Sequence, residues 1–325
     1  MVKIVIDTLG ADMGYEPIVS GIAKALQENM DFFPVLVGPA EGSRKILEDA
    51  GIDGTRYTLV DTCEYIRNED PPTCIFGDCG NKSMAVAYDL LKKDPDCQAL
   101  LSAGNTGALL VGSICRLGLL PGLKFPALAS ALPCSGDNLL CLVDCGANVE
   151  CTADDLVRFA RMGHIFSKSF CSIPSPRIGL MSVGREPQKG TELTREAFAK
   201  ISQLGLNFVG NVEGSDLVTD YADVVVTDGF SGNLLLKCVE SVGQVAMAIA
   251  KACGAGDPMA EKIHQAIFER FDLNSRGAAT FLGPKKIVVK MHGCATADTA
   301  TASIAQILRL EKAHFSQFMA EELSK

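Results

Sequence analysis

The chain of 325 residues has no tryptophan and only four histidines, and it lacks several motifs by which proteins of this size are usually classified. No Gly-x-Gly-x-x-Gly follows the first predicted strand and no Gly-Lys-Ser/Thr loop occurs, which argues against a dinucleotide or nucleoside triphosphate bound in the usual ways. No Gly-x-Ser-x-Gly marks a nucleophile elbow. No uninterrupted apolar run reaches the ~18 residues of a membrane-spanning helix. The start, MVKIVIDTLGAD, is too short and polar for a signal peptide.

Positive charge is also scarce. Thirty Lys and Arg stand against 39 Asp and Glu, which gives a formal net charge of −9. There is no run of basic residues, and no basic stretch is interleaved with aromatic residues. A protein of this charge is not expected to bind a nucleic-acid backbone through its general field.

Cysteine, by contrast, is plentiful, with 13 residues. The count is odd and several cysteines lie inside apolar runs, so we interpret them as small core residues of a protein from a reducing cytosol. One cluster, formed by Cys134, Cys141, Cys145 and Cys151, has no recognised zinc spacing. The sequence therefore predicts no metal and no cofactor, and we expect a cytoplasmic protein.

Predicted strands alternate with predicted helices along almost the whole chain. This alternation favours an α/β fold with a largely parallel open sheet, covered by helices on both faces in three layers. A hairpin formed by 127–131 and 139–143 and a long loop at 63–80 argue against a closed barrel. The length predicts a single domain, 1–325, built as two lobes with the active cleft between them.

Polar residues stand where the predicted parallel strands end, with glycine close by. Since the carboxyl ends of parallel strands share one edge of a sheet, these residues are expected to line a common cleft. They are Asp7, Ser102, Asp144, Gly184, Asn211, Asp228 and His292.

The most informative of these positions is the loop 102–107, which lies between a buried strand and an apolar helix. Gly104 and Gly107 leave backbone N–H groups open, and Ser102, Asn105 and Thr106 add short polar side chains. Such a loop at a helix N-terminus is a plausible phosphate cradle. The alternative interpretation is that Asn105 or Thr106 only caps the helix.

Cationic partners for a phosphate are few: Lys82, Lys189 and His292 are the candidates. Lys189 lies in a loop bounded by glycines, and His292 is the one histidine that directly follows a predicted strand. Capping of the next helix remains the alternative role for Asp144 and Asp228.

Six motifs occur in an order and spacing that resemble those of the PlsX-type phosphate acyltransferases of bacterial phospholipid synthesis. The resemblance covers almost the whole chain. The motifs are Ser102-Ala-Gly-Asn-Thr-Gly-Ala108, Asp144-x-Gly-Ala-Asn148, Lys189-Gly-x-Glu-Leu-Thr194, Gly210-Asn-Val-Glu-Gly214, Asp228-Gly-Phe-x-Gly-Asn233 and His292-Gly293.

The resemblance implies transfer of a fatty acyl group from the thioester of acyl carrier protein to inorganic phosphate, which gives an acyl phosphate. It also implies a homodimer with a fold akin to phosphotransacetylases and to isocitrate and isopropylmalate dehydrogenases. A membrane glycerol-3-phosphate acyltransferase is a further implied partner, and membrane contact is expected to be weak and reversible.

On this basis we assign two sets of residues. Those expected to act in catalysis, as oxyanion donors, donor-orienting groups or a proton source for the leaving thiolate, are Asn105, Asn211, Asp228, Asn233 and His292. Those expected to bind phosphate or substrate are Asp7, Gly10, Lys82, Ser102, Gly104, Thr106, Gly107, Asp144, Asn148, Lys189 and Glu213.

The sequence departs from the family pattern at three places: Met13 replaces a histidine, 74–81 lacks a basic cluster, and 242–271 is less rich in Leu and Lys. Two alternative functions therefore stay open. One is a short-chain phosphotransacylase that uses acyl-CoA, and the other is a non-catalytic protein that binds acyl phosphate or acyl carrier protein.

Overall fold

The structure is a computed structural model that describes residues 1–76, 79–134, 138–253, 258–271 and 277–324. The chain divides into two compact units: unit 1 comprises Met1–Pro126 and Gly277–Lys325, and unit 2 comprises Ala127–Arg276.

The strands alternate with helices along most of the chain, as the sequence predicts. The strands are β1 Val2–Asp7, β2 Phe32–Gly38, β3 Thr58–Asp61, β4 Cys97–Ser102, β5 Ala127–Pro133, β6 Leu139–Val143, β7 Ile178–Met181, β8 Phe208–Val212, β9 Val224–Val226, β10 Ala279–Leu282 and β11 Ile287–Lys290. The α-helices are α1 Glu16–Gln27, α2 Ala40–Asp49, α3 Ser83–Lys93, α4 Thr106–Gly112, α5 Ala153–Phe166, α6 Glu192–Ile201, α7 Gly229–Cys253, α8 Pro258–Phe271, α9 Ala297–Lys312 and α10 Phe315–Leu323.

In unit 1 the strands lie in the order β3-β2-β1-β4-β11-β10. All neighbouring pairs are parallel except β10 with β11. The sheet core is apolar because β1, β4 and β11 are β-branched or leucine-rich and buried on both faces. Helix α1 buries Ile18, Ile22 and Leu26, the face that its helical periodicity predicts.

In unit 2 the strands lie in the order β5-β6-β9-β7-β8. Strands β5 and β6 are antiparallel, which confirms the predicted hairpin, and the remaining pairs are parallel. The predicted turn between them, 134–138, lies in part outside the described residues. The α/β fold with a largely parallel sheet is therefore confirmed.

Several element boundaries differ from the sequence prediction. Strand β8 extends to Val212, so Gly210 and Asn211 lie inside the strand rather than in a loop after it. The sequence pattern predicts that Ser43 caps the second helix, but α2 begins at Ala40 and Ser43 is a buried residue within it. The pattern also predicts one helix from about Thr296 to the C-terminus, but this helix breaks at His314, whose φ of +51° is left-handed, into α9 and α10. Strand β10, Ala279–Leu282, is absent from the sequence prediction.

Helix α7 contains the segment Gly229–Ala252, which has 24 residues. Its most apolar window of 18 residues has a mean hydropathy of 1.3, so by length and composition alone the segment could cross a membrane. Only 11% of its most apolar window is buried inside the chain. The sequence pattern did not single it out because Lys237 and Glu240, an ion pair at 2.7 Å, interrupt the apolar run.

The close approach of α1 to α9 gives a testable prediction. A Cβ on Gly21 would lie 2.3 Å from the Ala297 carbonyl oxygen and 2.7 Å from Ala300 Cβ. We expect Gly21→Ala to destabilise the protein by about 1–3 kcal/mol, because the two helix backbones must separate. This loss outweighs the ~1 kcal/mol that alanine gains over glycine inside a helix.

Urea unfolding measures the effect, with Gly54→Ala as control, since nothing lies within 4 Å of a Cβ at Gly54. A Gly21→Ala protein as stable as wild type would show that the two helices do not pack this closely.

Candidate active site

Three neighbouring strands of unit 1 end in polar side chains at the same level of the sheet. Ser102 of β4 is paired in register with Asp7 of β1 on one side and with Lys290 of β11 on the other. The parallel arrangement therefore places a carboxyl, a hydroxyl and an ammonium group at one edge, where ligands of open α/β sheets bind.

Asp7 is the most deeply buried ionisable group of this edge, with 1% of its surface exposed. Ser102 Oγ donates a hydrogen bond to Asp7 Oδ2 at 2.8 Å, and the N–H of Leu9 donates to Oδ1 at 3.3 Å. Burial outweighs these hydrogen bonds and raises the pKa of Asp7 to about 6. Asp7 and Ser102 thus form one buried unit that fixes the ends of β1 and β4 together.

The loop 102–107 uses much of its hydrogen-bonding capacity internally. The N–H of Gly104 donates to Ser102 Oγ at 3.0 Å, and the N–H of Ala108 donates to Asn105 Oδ1 at 2.9 Å. Asn105 Nδ2 donates to the carbonyl oxygens of Arg67 and Asn68 at 3.1 and 3.3 Å. Asn105 is therefore the N-cap of α4 and an anchor for the loop that precedes α3, which is the alternative that the sequence left open.

The glycines of this region allow backbone segments to approach closely. Gly10 has a φ of +86°, and a Cβ there would lie 2.8 Å from Gly104 Cα. A Cβ on Gly104 would lie 2.7 Å from Met84 Cε, and one on Gly107 would lie 2.6 Å from Pro72 Cγ. Protein atoms occupy the space into which a side chain at each of these glycines would extend.

Of the remaining predicted residues of unit 1, Lys82 precedes α3 and forms an ion pair with Asp70 at 3.5 Å. Thr106 is exposed at the first position of α4. His292 lies in the turn between β11 and α9, where the N–H of Asp12 donates to the Gly293 carbonyl oxygen at 2.8 Å. The first loop and the His292 turn are thereby held together.

The sequence analysis missed Lys290. Its Nζ donates to the carbonyl oxygen of Ala103 at 3.4 Å and to that of Met291, so the ammonium group lies beside the loop 102–107. A signal was present, because Lys290 is the charged end of an otherwise apolar strand that leads into His292.

In unit 2 the centre of the polar edge is Asp144, which is fully buried at the end of β6. Its Oδ1 accepts hydrogen bonds from the N–H groups of Leu128, Gly146 and Ala147 at 2.9, 3.1 and 3.0 Å. Its Oδ2 accepts from both the N–H and the Nδ2 of Asn148 at 2.7 Å. Burial raises the pKa of Asp144, and the five donors oppose that shift. Asp144 thus orients the loop 145–148.

The start of α7 packs on that loop. The N–H of Gly229 donates to the Asn148 carbonyl oxygen at 2.7 Å, while Asp228 accepts from the N–H and Oγ of Ser231 at 2.8 and 2.9 Å. Asp228 therefore caps α7. Asn233 is exposed one turn further on, with its amide near Gly146: a Cβ on Gly146 would lie 3.6 Å from Asn233 Oδ1.

Asn211 is 1% exposed within β8, and its Nδ2 donates to the Glu186 carbonyl oxygen at 2.8 Å. Within the part of the chain that the structure describes, its Oδ1 has no hydrogen-bond partner. Lys189 is exposed on the same 184–190 loop.

The neighbouring Glu213 donates its backbone N–H to Asp216 Oδ2 at 2.9 Å. Asp216 also forms an ion pair with Arg185 at 2.5 Å, and the Arg185 guanidinium lies over the Tyr221 ring at 4.5 Å. Arg185 was not among the predicted residues, although it stands in the same glycine-bounded loop as Lys189.

The predicted residues thus form two polar strand edges, one in each unit. Within the described ranges no three or more His, Cys, Asp or Glu side chains are grouped so as to hold a metal ion. Among the cysteines whose side chains the structure describes, none forms a disulfide. The chemistry available at the two edges is hydrogen bonding, positive charge from Lys and Arg, and proton exchange at Asp7.

The chain is similar to known proteins both in sequence and in fold. The family model described as "Fatty acid synthesis protein" matches residues 2–318. The phosphate acyltransferase of Clostridium tetani is 34% identical over 329 residues, covering 99% of this chain and 98% of the relative. That of Thermoanaerobacterium thermosaccharolyticum is 37% identical over 312 residues, covering 94% of this chain and 91% of the relative.

Solved structures show the same fold at low identity. A phosphotransacetylase from Streptococcus pyogenes is 17% identical with a TM-score of 0.63, covering 95% of this chain and 94% of that one. A branched-chain phosphotransacylase from Enterococcus faecalis is 15% identical with a TM-score of 0.62, covering 95% and 98%.

The raised pKa of Asp7 gives a prediction for stability against pH. Because the folded-state pKa of about 6 exceeds the ordinary 3.8, the folded protein binds this proton more tightly than the unfolded chain does. Ionisation of the buried Asp7 therefore lowers the free energy of unfolding as pH rises toward 6, and the full loss of stability applies above pH 6. Between about pH 4.5 and pH 7.5, we expect wild type to lose about 2 kcal/mol more stability than Asp7→Asn.

Urea unfolding of both proteins at the two pH values measures this difference, and other titrating groups cancel in the comparison. A difference near zero, or one of opposite sign, would show that Asp7 titrates in its ordinary range.

Proposed function

The chain belongs to the family of fatty acid synthesis proteins whose curated relatives are phosphate acyltransferases, and from this membership we propose that it moves a fatty acyl group from acyl carrier protein to inorganic phosphate. It is an acyltransferase that acts in phospholipid synthesis. The supporting observation is the extent of the match: residues 2–318 fit the family model, and relatives above 30% identity align over nearly the full length of the chain.

In the proposed reaction a phosphate oxygen attacks the thioester carbonyl carbon. A carbon–oxygen bond forms, the carbon–sulfur bond breaks, and the departing thiolate takes a proton. Phosphate carries negative charge at neutral pH, so it needs positioning and positive charge more than a base. The protein's task is to hold two substrates and to stabilise the oxyanion that forms between them.

For phosphate we favour the edge of unit 1. Lys290 supplies a positive charge beside the loop 102–107, and His292 follows two residues later. The buried pair of Asp7 and Ser102 holds this loop in place. In the proposed site Lys290 binds the phosphate, and His292 supplies the proton for the leaving thiolate.

For the oxyanion we favour Asn233. Its amide is exposed beside the loop that Asp144 orients, whereas Asn211 already uses its Nδ2 on a backbone carbonyl and Asn105 uses both of its amide atoms. Asp144 and Asp228 are proposed to position this region without touching phosphate, since like charges repel. Asn148 is proposed to share this positioning role because its Nδ2 donates to Asp144. Lys189 remains a proposed substrate contact.

The proposed partners are acyl carrier protein as donor, inorganic phosphate as acceptor, and a second copy of the chain in a homodimer. We further propose that the enzyme acts in the cytoplasm and hands its acyl phosphate to a membrane glycerol-3-phosphate acyltransferase. An acyl phosphate is amphipathic, so weak and reversible membrane contact suits that transfer.

The test is an assay of thioester loss from palmitoyl-carrier protein and from butyryl-CoA, each with and without phosphate. We expect phosphate-dependent loss with preference for the carrier protein. Asn233→Ala should lower kcat about 10²–10³-fold, because an oxyanion donor acts in the transition state. The matched control is Asn207→Ala, whose Nδ2 bonds to the Ser175 carbonyl oxygen at the far end of β8.

Preference for butyryl-CoA would overturn the donor assignment in favour of a short-chain phosphotransacylase. Ligand binding with no phosphate-dependent thioester loss would make the protein a non-catalytic binder. Equal rates for the two asparagine variants would remove Asn233 from the oxyanion site.

A further inference from the structure

The loop 102–107 is covered by another stretch of unit 1, residues 66–75. A Cβ on Gly107 would lie 2.6 Å from Pro72 Cγ and 3.1 Å from Pro72 Cβ, and a Cβ on Gly10 would lie 3.9 Å from the Ile66 carbonyl oxygen. Pro72 therefore fills the space beside Gly107 that a ligand of this loop would enter.

The covering stretch is attached to the core only at its two ends. Ile66 is 2% exposed and Ile75 is fully buried, whereas none of the residues in the 67–74 segment between them is buried. Compact surface loops with close ends are often functional, and segments with few buried side chains are the ones that open most easily.

The 67–74 segment has hydrogen bonds of its own. The N–H of Arg67 donates to Asp70 Oδ2 at 2.9 Å, and the N–H of Asp70 donates to the Arg67 carbonyl oxygen at 3.2 Å. The N–H of Cys74 donates to the Pro71 carbonyl oxygen at 2.9 Å. These bonds lie within the segment, so it can move as one body without losing them.

One side chain of the loop 102–107 holds the segment in place. The Nδ2 of Asn105 donates to three of its carbonyl oxygens, those of Arg67, Asn68 and Asp70, at 3.1, 3.3 and 3.4 Å. An amide nitrogen has only two hydrogens, so three acceptors share them at long distances. The ion pair of Asp70 with Lys82, at 3.5 Å and partly exposed, adds little.

We propose that the 67–74 segment is a lid on the loop 102–107, that the amide of Asn105 is its latch, and that closure keeps water from the acyl carbonyl during transfer. The proposal rests on the proposed function, which supplies the reaction. Water that reached the carbonyl carbon would form a carbon–oxygen bond, break the carbon–sulfur bond and give one proton to the thiolate. The product would then be a free fatty acid and not an acyl phosphate.

The variant Asn105→Asp separates the latch from the helix cap. Aspartate is a good N-cap, so one oxygen still accepts the N–H of Ala108. The other oxygen replaces Nδ2 and repels the three carbonyl oxygens of the lid. The matched control is Asn207→Asp, which makes the same change where Nδ2 donates to the Ser175 carbonyl oxygen in unit 2.

The first experiment measures lid opening without turnover. Cys74 is a half-buried thiol of the lid, and its labelling by a maleimide is followed by mass spectrometry of its peptide. We expect labelling about tenfold faster in Asn105→Asp than in wild type or Asn207→Asp, because the open fraction rises when the latch is lost. The exposed Cys238 should label equally in all three proteins, and Cys97, which is 1% exposed, should stay unlabelled.

Equal labelling of Cys74 in the three proteins would overturn the proposal. Faster labelling of Cys97 together with Cys74 in Asn105→Asp would also overturn it, because Asn105 would then hold the fold of unit 1 and not a lid.

The second experiment measures what the lid does in the reaction. With palmitoyl-carrier protein and phosphate, the share of free fatty acid among the acyl products is determined at early times. Asn105→Asp should raise this share about tenfold, in proportion to the open fraction, and Asn207→Asp should leave it at the wild-type value.

An unchanged share of fatty acid, with Cys74 labelled faster, would overturn the exclusion of water by the lid. If wild type shows no phosphate-dependent thioester loss, the proposed function fails instead, and the labelling of Cys74 alone decides whether the 67–74 segment is a lid.

Discussion

The hydrogen bond between Ser102 and Asp7 joins the ends of two parallel strands, and much of the candidate site depends on it. In parallel strands every carboxyl end faces the same way, so a carboxyl group at the end of one strand must find its partner at the end of the next. Here the partner is a serine hydroxyl in direct register, and the same oxygen accepts the N–H of Gly104. One buried contact therefore fixes two strands and the loop between β4 and α4, and Lys290 lies beside that loop as a consequence of the third strand's register.

The sequence predicts most helices and strands well, because the apolar periodicity of the helices and that of the strands are both strong. Alternating short apolar runs and amphipathic stretches locate β1, α1, α7 and the β5–β6 hairpin to within a few residues. It is a poor guide where a short segment owes its structure to a neighbour. Asn211 is a strand residue because β8 pairs with β7 through Val212, a contact that no local pattern reveals. His314 breaks the last helix by a single left-handed residue, which leaves the apolar periodicity on either side unchanged.

The candidate site shows the same difference between what a local sequence pattern predicts and what neighbouring segments decide. Motif spacing brings the predicted residues to the strand ends, but it does not show which hydrogen bonds each side chain makes there. Asn105, Asp144 and Asp228 all form hydrogen bonds with nearby backbone groups, and they therefore fix the conformation of loops. Asn233 and Lys189 are exposed instead. The sequence analysis did not single out Lys290, because a lysine at the end of an apolar strand is common. Only the register of β11 with β4 shows that Ser102 lies opposite it.

The central claim is that the edge formed by Asp7, Ser102 and Lys290 binds phosphate, and calorimetric titration with inorganic phosphate tests it directly. Lys290→Met is compared with Lys286→Met, because Lys286 likewise donates to backbone carbonyls, those of Leu91 and Cys97 at 2.7 and 2.6 Å, but at the opposite end of β11. The account predicts that Lys290→Met weakens phosphate binding about tenfold or more, as expected for the loss of a charge-assisted hydrogen bond. Lys286→Met should retain wild-type affinity, and equal phosphate affinities for the two variants would contradict the account.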